Sequence, residues 1–270
     1  MTADTRMRVD FLGTRGAFPL NIPETQRLGT ETSCVMLTVG ADRLILDAGT
    51  GLNRIAPSEG DDLIVLTHFH YDHVLGLPYF LSRKKEGRVT LITSCADDVS
   101  HFENKLSHIF GGIGFPVELS EIFANTRLIV GSESECIHID PWTIDSIALN
   151  HPGHAFGYAV AHASVGERLC YLMDHEHHAE YPTEALAHFA HEAALVIYDA
   201  AYSDADYTPH AGYGHSTIEE GQRFRVKSQC QQIAFMGHAM ERLDADISRI
   251  TDMLDPSREI LAHDGLSISL

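Results

Sequence analysis

The sequence predicts an α/β fold in which two sheets pack together and helices cover them from outside. Three observations predict it. Short apolar runs of strand length alternate with helix-length segments through the first half, the same alternation returns in the second half, and no linker or low-complexity stretch separates the two. With 270 residues, 44% hydrophobic and 21% charged, the chain can bury a sizeable core, and one domain spanning residues 1–270 is expected.

Strands are expected at 8–12, 34–39 and 43–47, separated by Gly-containing turns. The run at 62–67, Asp-Leu-Ile-Val-Leu-Thr, suits a strand buried on both faces. A helix at 74–81, a strand at 89–93 and a helix at 97–110 come next, followed by a Gly111-Gly112-Ile113-Gly114 loop. The second half supplies strands at 147–150, 157–162, 168–174, 195–199 and 232–236. Its helices are expected at 183–193, 216–227 and 245–254, with Ser216 or Thr217 capping the second, and 259–270 extended.

Charge and composition restrict the partners. Nineteen Lys and Arg face 38 Asp and Glu, a net charge of −19. Proteins that hold long nucleic acids neutralise phosphates with basic residues, so no long nucleic acid is expected as a partner. A small anionic substrate is compatible, because bound metal ions dominate a local field. No apolar stretch has the length of a membrane span, and residues 1–6 carry no apolar signal core, so a cytoplasmic protein without membrane contact is expected. The five cysteines are scattered and odd in number, which reads as free buried thiols in a reducing compartment. Histidine is the anomaly, with 18 residues, many beside Asp or Gly. Imidazole is the commonest protein metal ligand and a frequent acid–base catalyst.

The densest cluster is His68-Phe69-His70-Tyr71-Asp72-His73, directly after the buried run at 62–67. His68 and His70 are two apart, so in extended chain they project to one side and can grip one metal together. Asp72 and His73 fall at the turn into the next helix and would face a second. Imidazole nitrogen with carboxylate oxygen is the ligand set of hydrolytic zinc, and also of manganese or iron. The alternative, a polar loop with incidental histidines, is hard to square with four ligand-type residues in six positions.

These residues resemble the H-x-H-x-D-H signature of the metallo-β-lactamase superfamily, and the resemblance extends along nearly the whole chain. Leu46-Asp47-Ala48-Gly49 looks like the family's earlier Asp-containing turn, Asn150-His151-Pro152-Gly153 like its third motif, Tyr171-Leu172-Met173-Asp174 like its fourth and Met236-Gly237-His238 like its fifth. The resemblance implies a four-layer αββα sandwich of two mixed sheets flanked by helices. It also implies two divalent metal ions, zinc first, with Mn2+ or Fe2+ as alternatives. One would be held by His68, His70, His151 and Asp174, the other by Asp72, His73, Asp174 and His238. His154, His175, His177 and His178 crowd the same loops without an assigned role, and Asp199 is left open between a structural part and one beside the metals.

Within the superfamily, Gly212-Tyr213-Gly214-His215-Ser216-Thr217 resembles the G-H-S-T element of the ribonuclease Z and cyclic nucleotide phosphodiesterase branch. There the histidine assists phosphate-ester cleavage, which implies catalytic parts for His215 and Asp72; the plainer alternative is a helix cap with His215 incidental. Phe11-Leu12-Gly13-Thr14-Arg15-Gly16 belongs to the same branch, and its loop is expected to offer backbone N–H groups to a phosphate. Ribonuclease Z carries a long basic arm between the third and fourth motifs, whereas the interval from His151 to Asp174 has room only for two strands and a turn, without Lys. Thr32-Ser33-Cys34 and the two motifs at 150–153 and 212–217 echo a bacterial and phage group that cleaves cyclic nucleotides as homodimers. Glu31 and Tyr213 stand where that group has Asn and Trp. The expectation is therefore a binuclear phosphodiesterase acting on a small phosphodiester, a cyclic nucleotide first, through a metal-bridging hydroxide with His215 assisting, in a homodimer. The alternatives are a carboxylic ester or lactone hydrolase, a sensor of small anions, and, less favoured, a tRNA 3′-processing nuclease.

Overall fold

A computed structural model of the chain describes residues 6–112, 117–133, 135–177 and 183–270. In chain order the first strands are β1 (Arg8–Gly13), β2 (Cys34–Val39), β3 (Asp42–Leu46), β4 (Asp62–Leu66), β5 (Val89–Thr93), β6 (Thr126–Val130) and β7 (Ile137–Ile139). They are followed by β8 (Trp142–Leu149), β9 (Ala155–His162), β10 (Arg168–Leu172), β11 (Leu195–Asp199), β12 (Gln232–Met236), β13 (Glu259–Leu261) and β14 (Ser267–Ser269). One sheet has the order β14-β1-β2-β3-β4-β5-β6, the other β13-β12-β11-β10-β9-β8-β7. Both are mixed: β3 to β6 run parallel beside the antiparallel β1–β2–β3, and β10 to β13 run parallel beside the antiparallel β7 to β10.

The alternation of side chains along each strand builds three apolar layers. In β4, Val65 turns inward to the other sheet while Ile64 and Leu66 turn outward; in β11, Leu195 and Ile197 turn inward while Val196 and Tyr198 turn outward. The inner layer joins Phe11, Leu37, Tyr158, Tyr171 and Met236. Outside the first sheet, Phe80 and Phe102 arrive from the helices Leu77–Ser82 and Val99–Phe110. Outside the second, Leu186 and Phe224 arrive from Thr183–Phe189 and Ile218–Ser228. Strands covered on both faces need unbroken apolar runs, and each fully buried side chain of this kind contributes about 1.5–3 kcal/mol.

The expected helix at 74–81 is split in two, Tyr71–Val74 and Leu77–Ser82. Gly76 sits at the break: its N–H donates to the Ala48 carbonyl at 2.8 Å, and a Cβ there would overlap the Gly49 carbonyl. A close approach of the 47–49 turn thus sets the break, and Pro78 lies in the first turn of the second piece, where a missing N–H costs nothing. Strands β6 and β7 and the helix Leu119–Ile122 were not expected; all are short and mostly half-exposed, so they carry little apolar periodicity. Of the Gly111-Gly112-Ile113-Gly114 run, Ile113 and Gly114 lie outside the described residues.

Topology then positions the chemistry. Strands β3, β4, β8, β10, β11 and β12 all end at one edge of the sandwich, because they are parallel within each sheet or separated by an even number of antiparallel steps. The residues just past those ends are Asp47, His68, His151, Asp174, Asp199 at the last strand position, and His238. Carboxyl ends of strands in α/β sheets are the usual place for a site.

Candidate active site

Three strand ends, those of β4, β8 and β10, bring six of the seven expected ligands together. His68, His70, His151 and Asp174 offer ligand atoms within 4.8 Å of one another, and so do Asp72, His73 and Asp174. Asp174 stands between the two groups. Its Oδ2 lies 3.4 Å from Nε2 of His68 and 3.4 Å from Nε2 of His151, and its Oδ1 lies 3.2 Å from Nε2 of His73. His73 Nε2 is also 3.4 Å from Asp72 Oδ2, and His151 Nε2 is 3.1 Å from His70 Nδ1. Asp174 holds this place in a left-handed backbone conformation, φ 57°, which is uncommon for a non-glycine residue.

Groups behind the cluster fix its ring orientations. His73 Nδ1 donates to Asp47 Oδ2 at 2.7 Å, and the same carboxylate accepts the Thr67 N–H at 2.8 Å. His151 Nδ1 donates to the Gly214 carbonyl at 2.9 Å. Asp72 Oδ2 accepts the Ala17 N–H at 2.8 Å. Burial pushes His68 well below its ordinary range, and the neighbouring His73 adds to that. Burial and His151 lower His70 likewise, and a shift in this direction favours the neutral ring, the form that binds metal. Burial works against ionising Asp174, but His73 and His215 outweigh it and hold the carboxyl well below the carboxylate range.

The donor set fits metal ions. Nε2 of His68 and Nε2 of His73 are buried without a hydrogen-bond partner, a costly state for a polar atom unless something else satisfies it. Bonds of roughly 2.0–2.1 Å to a tetrahedral ion place neighbouring ligand atoms about 3.3–3.4 Å apart, and the separations around Asp174 match. His68, His70, His151 and Asp174 could hold one ion, and Asp72, His73 and Asp174 a second.

His238 does not join them. Its fully buried ring donates from Nε2 to the Ala262 carbonyl at 2.7 Å and accepts at Nδ1 from Arg242 Nη1 at 3.1 Å. The expectation of His238 as last ligand is thus corrected: β12 delivers the residue to the right edge, yet both nitrogens are engaged elsewhere. A strand-end motif fixes where the backbone goes and leaves the side-chain torsions to local packing.

His215 stands over the cluster. Its Nδ1 is 2.7 Å from Asp199 Oδ2, and the ring and carboxylates of Asp174 and Asp199 form a third group of converging atoms. Burial opposes charge on this ring, but Asp199, Asp174 and Asp72 outweigh it and push it up to about 10. The cap of the helix that follows is Thr217, whose side chain accepts the Glu220 N–H at 3.0 Å. Ser216 instead meets His177 Nδ1 at 2.9 Å and the Tyr198 hydroxyl at 3.2 Å. Around the cluster opens a cleft of about 540 Å3, lined by His70, Asp72, His151, Asp174 and His215 and rimmed by aromatic rings. Phe18, Tyr71 and Tyr213 are exposed there by 62%, 56% and 61%.

A family model described as a Beta-lactamase superfamily domain matches residues 42–238, a span that runs from β3 through the whole cluster. The chain belongs to the beta-lactamase superfamily. Among curated relatives, the ribonuclease Z of Haloarcula marismortui is 24% identical over 310 aligned residues, covering 96% of each chain. Solved structures share the fold as well. The metallo-beta-lactamase fold protein YhfI from Bacillus subtilis superposes with a TM-score of 0.73 at 17% identity, covering 98% of this chain and 100% of that one. A diphosphatase of the PhnP family superposes at 0.68 with 18% identity, covering 98% and 97%.

These likenesses overturn one expectation. Long nucleic acid was excluded from the net charge and the short 151–174 interval, yet this superfamily member aligns from end to end with a protein named ribonuclease Z. Net charge sums the whole surface, whereas the field at a strand-end metal site is set by the groups that line it. The exclusion is withdrawn. A second correction concerns the loop after β1. The N–H groups of Thr14, Arg15, Gly16 and Ala17 donate to Asp264, Glu31, His238 and Asp72, so none of these four is left for a phosphate.

Sequence reasoning missed Glu176. Its carboxylate accepts N–H bonds from Gly212 at 2.6 Å and Gly214 at 2.9 Å, and the Tyr207 hydroxyl at 2.6 Å, so it shapes the loop that presents His215. Its place two residues after Asp174 was the available signal. His175 is buried with its N–H on Asp199, His177 packs on Tyr207, and the exposed His154 accepts a Cys95 Sγ contact through its carbonyl. His178 lies outside the described residues. The five cysteines are free, four of them buried, and among the described residues no helix is long and apolar enough to cross a membrane.

Proposed function

We propose that this chain is a two-metal phosphodiesterase acting on a nucleotide phosphodiester. The reading is carried by the His215–Asp199 pair standing over histidine and carboxylate clusters suited to two ions. Divalent ions there, zinc first by the donor set, would supply an activated water and neutralise phosphoryl charge. The protein's own groups do the rest. Asp199 holds His215 by Nδ1, which leaves Nε2 as the nitrogen that can give a proton to a departing alkoxide. Asp72, fixed by the Ala17 N–H, can orient the attacking water. The exposed Phe18, Tyr71 and Tyr213 give flat surfaces on which bases stack.

Two nucleotide classes follow from different observations. An RNA 3′ segment is favoured by the end-to-end likeness to a protein named ribonuclease Z. A cyclic nucleotide is favoured by the cleft, whose volume of about 540 Å3 is of small-ligand size. Metal-loaded protein should be offered bis(p-nitrophenyl) phosphate, cyclic AMP, cyclic UMP, a 3′-extended tRNA precursor and a homoserine lactone. Turnover of phosphodiesters but not of the lactone is expected, and the tRNA and cyclic arms separate the two classes. Lactone hydrolysis with every phosphodiester untouched would sink the reading.

A further inference from the structure

Beyond His215 the cleft continues into a second lobe of about 500 Å3, which shares Ala17, Tyr213 and His215 with the metal-facing lobe. If His215 protonates the leaving group, that lobe is where the leaving group lies. Its walls have the makings of a base pocket. Tyr202 and His210 form a parallel stack, centroids 4.1 Å apart at 14°, and Tyr213 meets His210 edge-on at 5.8 Å. His210 is locked by its Nδ1–H to the Asp206 carbonyl at 2.8 Å, so the stack presents a fixed flat face. Glu241 completes the wall. It is exposed and, among the described residues, has no hydrogen-bond or ion-pair partner, and it is close enough to Tyr202 to help burial and Asp199 push that hydroxyl up to about 12.

We propose that this second lobe is a nucleobase pocket in which Glu241 selects bases that carry adjacent N–H donors, guanine above all, over uracil. An ionised carboxylate is an acceptor only, with two oxygens side by side. The Watson–Crick edge of guanine offers two neighbouring N–H groups that match it. Uracil offers one N–H flanked by two carbonyls, which the carboxylate repels. The aromatic walls supply affinity for any base, since every base has a π face, and Glu241 supplies the choice. The proposal rests on the phosphodiesterase reading for the direction of the leaving group.

The test is titration calorimetry of metal-loaded protein with GMP and with UMP, which needs no turnover. Wild type should bind GMP about tenfold or more tightly than UMP, in the range that a site built on hydrogen bonds achieves against a mismatched partner. Glu241→Gln, an exposed and nearly isosteric change, should bring the ratio of the two Kd values close to one. Tyr213→Ala should weaken both ligands by roughly five- to a hundred-fold, the loss of one stacking surface, and leave the ratio intact. Equal affinities in wild type, or a ratio that Glu241→Gln does not move, would overturn the pocket. Base-selective binding by a protein that hydrolyses no phosphodiester would instead leave the pocket standing and refute the activity.

Discussion

Replacing Gly214 by alanine probes whether the loop that carries His215 also sets the metal cluster. Gly214 has φ 91°, its N–H donates to Glu176, and its carbonyl accepts from His151 Nδ1. A Cβ at this position would overlap the His151 ring and lie 2.5 Å from Pro152 Cδ. Left-handed backbone costs an L-residue about 1–2 kcal/mol, and forcing a methyl into filled space costs about 1–3 kcal/mol more. The expected loss of stability is therefore about 2–5 kcal/mol, which lowers the Tm of a chain of this size by roughly 5–15 °C. The ring is relieved by moving out of the cluster, and loss of such an orienting contact typically costs about 10- to 100-fold in metal affinity. Scanning calorimetry and competition with a chromogenic chelator read the two effects. A Gly214→Ala protein with wild-type melting and wild-type metal affinity would refute the geometry on which the site is built.

Three further outcomes follow from the same contacts. Purified protein should hold about two transition-metal ions per chain, and Asp174→Ala should lower occupancy at both sites, since its two oxygens face both groups; elemental analysis showing one tightly bound ion in active protein would contradict this. Asp47→Asn weakens the acceptor behind His73 and should cost about 10- to 100-fold in affinity for one ion while the other stays bound, read by stepwise chelation. His238→Ala leaves the Ala262 carbonyl without its partner and should cost about 1–3 kcal/mol in chemical denaturation with both metals retained. Loss of a metal in that variant would show that the ring turns toward the cluster on loading.

The sequence announced the fold wherever burial on both faces demanded an unbroken apolar run. The strands Cys34–Val39, Val89–Thr93, Leu195–Asp199 and Gln232–Met236 have the expected bounds for that reason. Edge strands β6 and β7 bury too little to leave a pattern, and the break at Gly76 depends on a turn some 30 residues earlier. At the site, ligand-type residues placed just after buried strands were legible because strand ends determine backbone position. Three things were not legible. The direction of the His238 ring is chosen by Arg242 and Ala262, the pairing of Asp199 with His215 joins residues 16 apart in sequence, and the bonds of Glu176 to a distant loop need the folded chain. The net charge misled for a different reason, since it carries no information on where the charges lie.

The leaving-group dependence of His215→Ala tests the central claim most directly. Wild type and variant, both with metal content verified, should be compared on bis(p-nitrophenyl) phosphate and on whichever nucleotide phosphodiester the wild type turns over. A sugar alkoxide needs a proton to depart and p-nitrophenolate scarcely does, so the variant should lose about 10²–10⁴-fold in kcat on the nucleotide and much less on the nitrophenyl ester. Unchanged turnover of both substrates with metals intact would contradict the account.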